Sequence, residues 1–184
     1  MKSLFLIAGH YIADPGALSH GRDMKEADIT IAMRDLIAFF VKMKSDGKVK
    51  IYKDDDTLNL NSVITWLNKT AVGENRIIFD IHCNAFNGVA TGTEVLIPST
   101  GATETERRIA KLISMTTSLK LNIPDRGVKS KSQHSTLAIM KPKGINLLWE
   151  ICFIDNPKDK EALQKNFTTL AESIADILVE ECLS

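Results

Sequence analysis

Strand-length apolar runs alternate with amphipathic stretches along this chain of 184 residues, and that alternation restricts what it can fold into. The runs lie at 3–8, 48–52, 76–82, 92–98, 136–140 and 145–153. The spacing predicts a helix over 24–44, where Ile29, Met33, Leu36, Phe40 and Met43 recur every three or four residues before Asp46-Gly47. A second helix is expected at 61–72, closing at Gly73. Thr103 and Glu106 are spaced as a capping box. The helix they open carries Ile109, Leu112, Ile113 and Leu119, with Thr116 interrupting the stripe. Asp155-Asn156-Pro157 starts the last helix, striped by Leu163, Phe167, Leu170, Ile174 and Ile177. Strands alternating with helices predict an α/β fold: a mixed, mostly parallel twisted sheet of about six strands with helices on both faces. "GTEVLIP" follows the strand at 76 after only a short loop, so one antiparallel pairing is expected at an edge. Residues 11–22, with their Asp-Pro-Gly turn, and 125–135 are predicted loops. No repeat or linker divides the chain, so residues 1–184 are expected to form one domain.

Composition narrows the partners. The formal net charge is zero and no block of Lys or Arg stands out, which gives no support to a nucleic acid or an anionic membrane. Cys83, Cys152 and Cys182 form no CxxC pair, so neither a disulfide framework nor a thiolate zinc site is indicated. Cys83 and Cys152 accompany apolar runs and are expected to act as small hydrophobes, Cys83 turned away from His82 by strand alternation. Such cysteines fit synthesis in a reducing compartment. The opening run, Leu4 to Ala8, is shorter than the roughly 7–15 apolar residues of a signal peptide's core. No run reaches the ~20 residues of a membrane span. The expectation is a protein made in the cytoplasm without an export signal.

Three strands close on the same chemistry. "LFLIAGH" ends in His10, "RIIFDIHCNA" sets down Asp80, His82, Cys83 and Asn84, and the run through Leu147, Leu148 and Trp149 places Glu150 before Ile151. A lone His after an apolar run is most often a core-edge residue. Ligand sites of open α/β sheets, however, lie beyond the carboxyl ends of the strands, where these three would converge if the strands are parallel neighbours. An ionised carboxylate at Glu150 is costly unless a cation or strong donors face it. A Lys or Arg partner at the sheet edge would serve, and so would a metal. Two His and one carboxylate are a known zinc set. The carboxylate is either Glu150 or Glu26, which opens the first helix just after the loop that leaves His10. A carboxylate in a first helical turn also has an ordinary dipole reason to be there. With Glu26 as ligand, Glu150 is left free as a general base, and hydrolysis needs both a metal and a proton acceptor.

The motifs "AGH…DPGA…E", "IHCNA", "GTEV" and "WEICFIDNPKD" follow in order across nearly the whole chain. Together they resemble the zinc-dependent N-acetylmuramoyl-L-alanine amidases of the amidase type 3 class. The resemblance implies one Zn²⁺ per chain, bound by His10, Glu26 and His82, with Glu150 catalytic. It implies hydrolysis of the amide between N-acetylmuramic acid and L-alanine, with peptidoglycan or a muropeptide as partner. The chain departs from that pattern at Tyr11, where Gly is usual, and at Asp80, where Ser is usual. It also lacks the Thr-Arg at the second strand and the Arg of the second helix; these departures are expected to bear on loop shape and substrate fit. Asn84, Arg126 and His134 are candidate substrate contacts. His20 is expected to be a solvated loop residue. Without an export signal, the enzyme would reach the wall by phage-type release or act on internal muropeptides. A zinc peptidase on another amide and a silent wall-binding module are the competing classes.

Overall fold

Strands that are apolar along most of their length set the centre of the molecule. The computed structural model describes residues 1–70, 75–130 and 137–184. Six strands form one sheet: β1 (Ser3–Ala8), β2 (Ile51–Lys53), β3 (Arg76–Asn84), β4 (Thr93–Ile97), β5 (Asp125–Ser130) and β6 (Ile145–Phe153). Their order is β2-β1-β3-β6-β4-β5. β1 pairs in parallel with β2 and β3, and β3 in parallel with β6. β4 joins β6 antiparallel and carries β5 parallel to itself.

Helices cover both faces, as expected of a parallel sheet whose strands are apolar on both sides. α1 (Glu26–Lys44), α3 (Glu104–Leu121) and α4 (Pro157–Leu183) share one core with Leu4, Leu6, Ile77, Phe79 and Leu147. On the opposite face α2 (Leu60–Lys69) and a 3-10 turn, Ala138–Met140, pack over Phe5, Ile7, Ile78 and Leu148. The Thr103–Glu106 capping box closes the start of α3 in both directions. Asn156 caps α4, with Pro157 at its first position, where the missing N–H costs nothing.

Several local expectations are corrected. The run expected as a strand at 136–140 is instead the 3-10 turn, because Leu137, Ile139 and Met140 reach the core by wrapping under α2. The sixth strand comes from the segment read as a loop: Asp125–Ser130 is polar because it pairs on one side only, as a charged edge strand. The antiparallel pairing lies inside the sheet, between β6 and β4, and β4 does not neighbour β3. In α1 the buried stripe is Ile29, Met33, Ile37 and Val41, while Met43 is exposed. In α3, Leu112 and Leu119 face solvent and Ser114 and Thr117 are buried. Polar positions are tolerated there because Thr117 donates to the carbonyl of Ile113 and Ser114 to Asp125. α2 ends at Lys69; Gly73 lies outside the described residues.

The start of α4 also holds the loop that leaves β3. Asp155 Oδ2 accepts the N–H groups of Phe86 (2.9 Å) and Gly88 (2.8 Å). Asn156 donates to the carbonyls of Val89 and Ala90. Asp159, fully buried, accepts from Thr91 Oγ1 and from the N–H groups of Gly92 and Phe153. Asp159→Ala would strand these buried donors, each worth about 1–3 kcal/mol when left unpaired. The expected result is a loss of about 3 kcal/mol or more in urea unfolding; a loss below about 1 kcal/mol would show the clamp to be dispensable.

Candidate metal centre

Parallel register brings the strand ends level. Ala8 pairs with Ile81, so Gly9 lies beside His82, and the Gly9 N–H donates to the Ile81 carbonyl at 2.9 Å. His82 pairs with Glu150, and Glu150 with Glu94. His10 follows one residue beyond β1, and the loop after it returns to α1, whose first residue is Glu26. That loop packs tightly. Gly16 has φ +64°, and a Cβ there would sit 2.6 Å from both Glu26 Oε2 and His10 Cδ2, so only Gly fits.

Glu26 is buried and joins the two imidazoles. Its Oε1 lies 3.0 Å from His82 Nδ1 and accepts the Cys83 N–H at 2.9 Å. Its Oε2 lies 3.3 Å from His10 Nε2 and accepts the Ala17 N–H at 2.8 Å. One coordinating atom from each of His10, Glu26 and His82 lies within 4.8 Å of the other two. The outer ring nitrogens also face carboxylates: His10 Nδ1 is 3.0 Å from Asp14 Oδ2, and His82 Nε2 is 3.2 Å from Asp80 Oδ2.

The electrostatics follow from burial and crowding. Burial alone would push the Glu26 carboxyl up, but the His82 bond and charge and two backbone N–H groups outweigh it and lower the pKa. Burial opposes a charged His82 ring, yet Asp80 and Glu26 raise its pKa well above the ordinary value. Burial pushes Glu150 up to about 7; the charge of His82 opposes the rise, while Glu26, Glu94 and Asp80 add to it.

These residues suit a divalent cation. Two imidazoles and a carboxylate are the donor types zinc takes. Glu150 Oε2 and Asp80 Oδ1 are buried with no hydrogen-bond partner among the described residues. Carboxylates thus outnumber the groups that can neutralise them, and a cation would remove that excess.

The structure therefore brings His10, Glu26 and His82 together and sets Glu150 beside them. Asn84 and Arg126 converge on Glu94: Asn84 Nδ2 lies 3.4 Å from Oε1 and Arg126 Nε 2.8 Å from Oε2. Arg126 also stacks over Phe153, 5.0 Å from the ring centroid. Asn84, Phe86, Arg126 and Phe153 line a cleft of about 430 Å³. His20 is exposed, in a depression beside Asp155 and Lys160, away from the cluster. His134 lies outside the described residues.

Asp14 and Asp80 were not legible as partners of the imidazoles, although both sit inside the motifs that carry them. Asp80 bears on a His in the strand rather than on loop shape. Arg34 was missed as well. From inside α1 it bonds Asp54 Oδ1 at 2.8 Å, and the same oxygen accepts the Ala8 N–H at 3.2 Å, steadying the end of β1.

The profile of the N-acetylmuramoyl-L-alanine amidase family matches residues 4–180. The chain belongs to that family. It is an amidase, a hydrolase acting on peptidoglycan, and its family is generally zinc-dependent. The amidase is 28% identical over 162 residues to protein YqiI of Bacillus subtilis, covering 88% of this chain and 75% of YqiI. It is 27% identical over 166 residues to the N-acetylmuramoyl-L-alanine amidase LytC of the same organism, covering 89% of this chain but only 32% of LytC. Its fold is that of the N-acetylmuramoyl-L-alanine amidase from Clostridium difficile 630, with a TM-score of 0.82, 22% identity and coverage of 100% of this chain and 97% of the other. Among the described residues no helix is long and apolar enough to cross a membrane.

Two outcomes follow from the geometry. A Cβ on Gly9 would lie 2.2 Å from His82 Cε1, and the φ of Gly9 is not in the left-handed region, so the nearest obstacle is the ring. Gly9→Ala should therefore displace the ring, losing metal in bound-metal analysis and about 1–3 kcal/mol of stability; full metal content would refute the packing argument. The second concerns pH. Glu150 has an ordinary pKa of 4.5 when unfolded and about 7 when folded, so the folded state holds its proton more tightly. The stability this brings is complete below about 4.5 and is lost as pH rises through about 7. In metal-free protein, wild type should lose melting temperature relative to Glu150→Gln across that window; parallel curves would contradict it.

Proposed function

We propose that residues 1–184 act as one catalytic domain that hydrolyses the amide between N-acetylmuramic acid and L-alanine, with zinc at His10, Glu26 and His82 and with Glu150 as general base. The carrying observation is the convergence of His10, Glu26 and His82 around one point, with the buried and unpartnered Glu150 Oε2 beside it. Zinc bound there would supply Lewis acidity, polarising a carbonyl and lowering the pKa of water. The protein's own work is proton transfer and orientation. Glu150 accepts a proton from the attacking water and returns it to the leaving amine. Its buried Oε2, with no hydrogen-bond partner among the described residues, is free to take and return that proton. Glu26, tied by the N–H groups of Ala17 and Cys83, holds both imidazoles in place.

Asn84 and Arg126, beside Glu94 and the 430 Å³ cleft, are positioned to contact the substrate next to Glu150. The buried thiols are read as structural: Cys83 faces the core on the opposite side of β3 from His82, and burial raises its pKa well above the ordinary value, which disfavours a thiolate. Hydrolysis of muropeptides but not of simple peptides would separate this reading from that of a general zinc peptidase.

The test compares two carboxylates. Glu150→Gln should fold, keep its zinc and lose at least ~10²-fold in muropeptide release. Glu26→Gln should lose zinc as well as rate, and His10→Ala and His82→Ala should lose both together. If Glu150→Gln sheds metal while Glu26→Gln holds it, the roles are reversed.

A further inference from the structure

β3 carries a buried carboxylate beneath the metal centre. Asp80 pairs in register with Ile7 of β1 and Leu148 of β6, both apolar, and its side chain shares their face of the sheet by strand alternation. It is 3% exposed. An ionised carboxylate in such a layer is costly without a partner. Asp80 Oδ2 faces His82 Nε2 at 3.2 Å, and Oδ1 has no hydrogen-bond partner among the described residues. His82 is thus what compensates Asp80.

The ring is held between two carboxylates. His82 Nδ1 faces Glu26 Oε1, on the side of the ring where His10 Nε2 meets Glu26 Oε2. Nε2 faces Asp80 on the opposite side. We propose that Asp80 is a positioning residue for the metal: it fixes the ring and tautomer of His82 so that Nδ1 presents its lone pair beside Glu26 while Nε2–H donates to Asp80. A carboxylate behind a ligating imidazole raises the basicity of the ligand, and removing such a partner typically weakens metal affinity about 10–100-fold. Asp14 stands behind His10 in the same manner, but its side chain is half exposed, so water screens that bond. The buried pair is the stronger lever.

A purely structural role for Asp80 makes a different forecast. A structural partner, when removed, lowers stability whether or not metal is bound. In the proposed role the removal of Asp80 also weakens zinc binding, over and above the stability lost when one partner of the buried Asp80–His82 pair is taken away. Zinc affinity therefore separates the two roles, and metal-free stability does not.

The proposal rests on His82 as a ligand, so His82→Ala is the reference. Zinc affinity is measured by competition with a chromogenic chelator, alongside thermal unfolding of the metal-free proteins. Asp80→Ala should bind one zinc about 10–100-fold more weakly than wild type. Asp80→Asn, whose amide oxygen still accepts from Nε2–H, should lose less. Metal-free Asp80→Asn and Asp80→Ala should melt below metal-free wild type yet unfold cooperatively, so that affinity is read on folded protein. Zinc affinity of Asp80→Ala within about twofold of wild type, with His82→Ala unable to bind, overturns the positioning role and leaves the ligand reading standing. Asp80→Ala that binds no zinc at all makes Asp80 a ligand and overturns it too. Full zinc affinity in His82→Ala removes the ligand reading, and the proposal with it.

Discussion

Parallel pairing of β1, β3 and β6 places three carboxyl ends side by side, and the polar groups of the centre take their positions from it. His82 lies level with Glu150 because β3 and β6 run the same way in that register. Gly9 lies level with His82 for the same reason, and its lack of a side chain is what leaves room for the ring. A one-residue slip of β3 would turn His82 and Asp80 to the opposite face and bring Cys83 to theirs. The apolar side chains on both faces of β3 resist that slip, so core packing and site geometry are maintained together.

Charge is arranged in layers around that alignment. Glu26 joins the imidazoles from above, Asp14 and Asp80 approach their outer nitrogens, and Glu150 stands beside them with an unpartnered oxygen. So many carboxylates in a poorly solvated place are mutually unfavourable, which is why burial and neighbours raise the pKa of Glu150 to about 7. The same arrangement that burdens the metal-free protein favours a divalent cation.

The start of α4 braces the loop that leaves β3. Its Asp155, Asn156 and Asp159 accept from or donate to five backbone groups of the loop between β3 and β4, at Phe86, Gly88, Val89, Ala90 and Gly92. The loop begins at Asn84, so the "FIDNPKD" stretch both starts a helix and braces a wall of the cleft. Helix capping and support of the cleft are one set of hydrogen bonds.

The sequence by itself determined the class of fold, four helices, five of the six strands and the residues that meet at the centre. Hydrophobic periodicity reports the faces of elements, and motif order reports the chemistry. The residues themselves leave the carboxylate open between Glu26 and Glu150, and it is the order of the motifs, through the family they resemble, that names His10, Glu26 and His82. Only the tertiary structure decided which strands are neighbours. β4 sits beside β6 rather than β3, and β5 is built from "DRGVKS", a stretch with no strand pattern because it pairs on one side only. Only the structure showed that Asp14 and Asp80 back the two imidazoles and that Arg34 steadies the end of β1. Asp14 and Asp80 lie only four and two residues from their imidazoles, but which way each ring turns is set by Glu26, which reaches both from another element, and Asp54 meets Arg34 and Ala8 from 20 and 46 residues away.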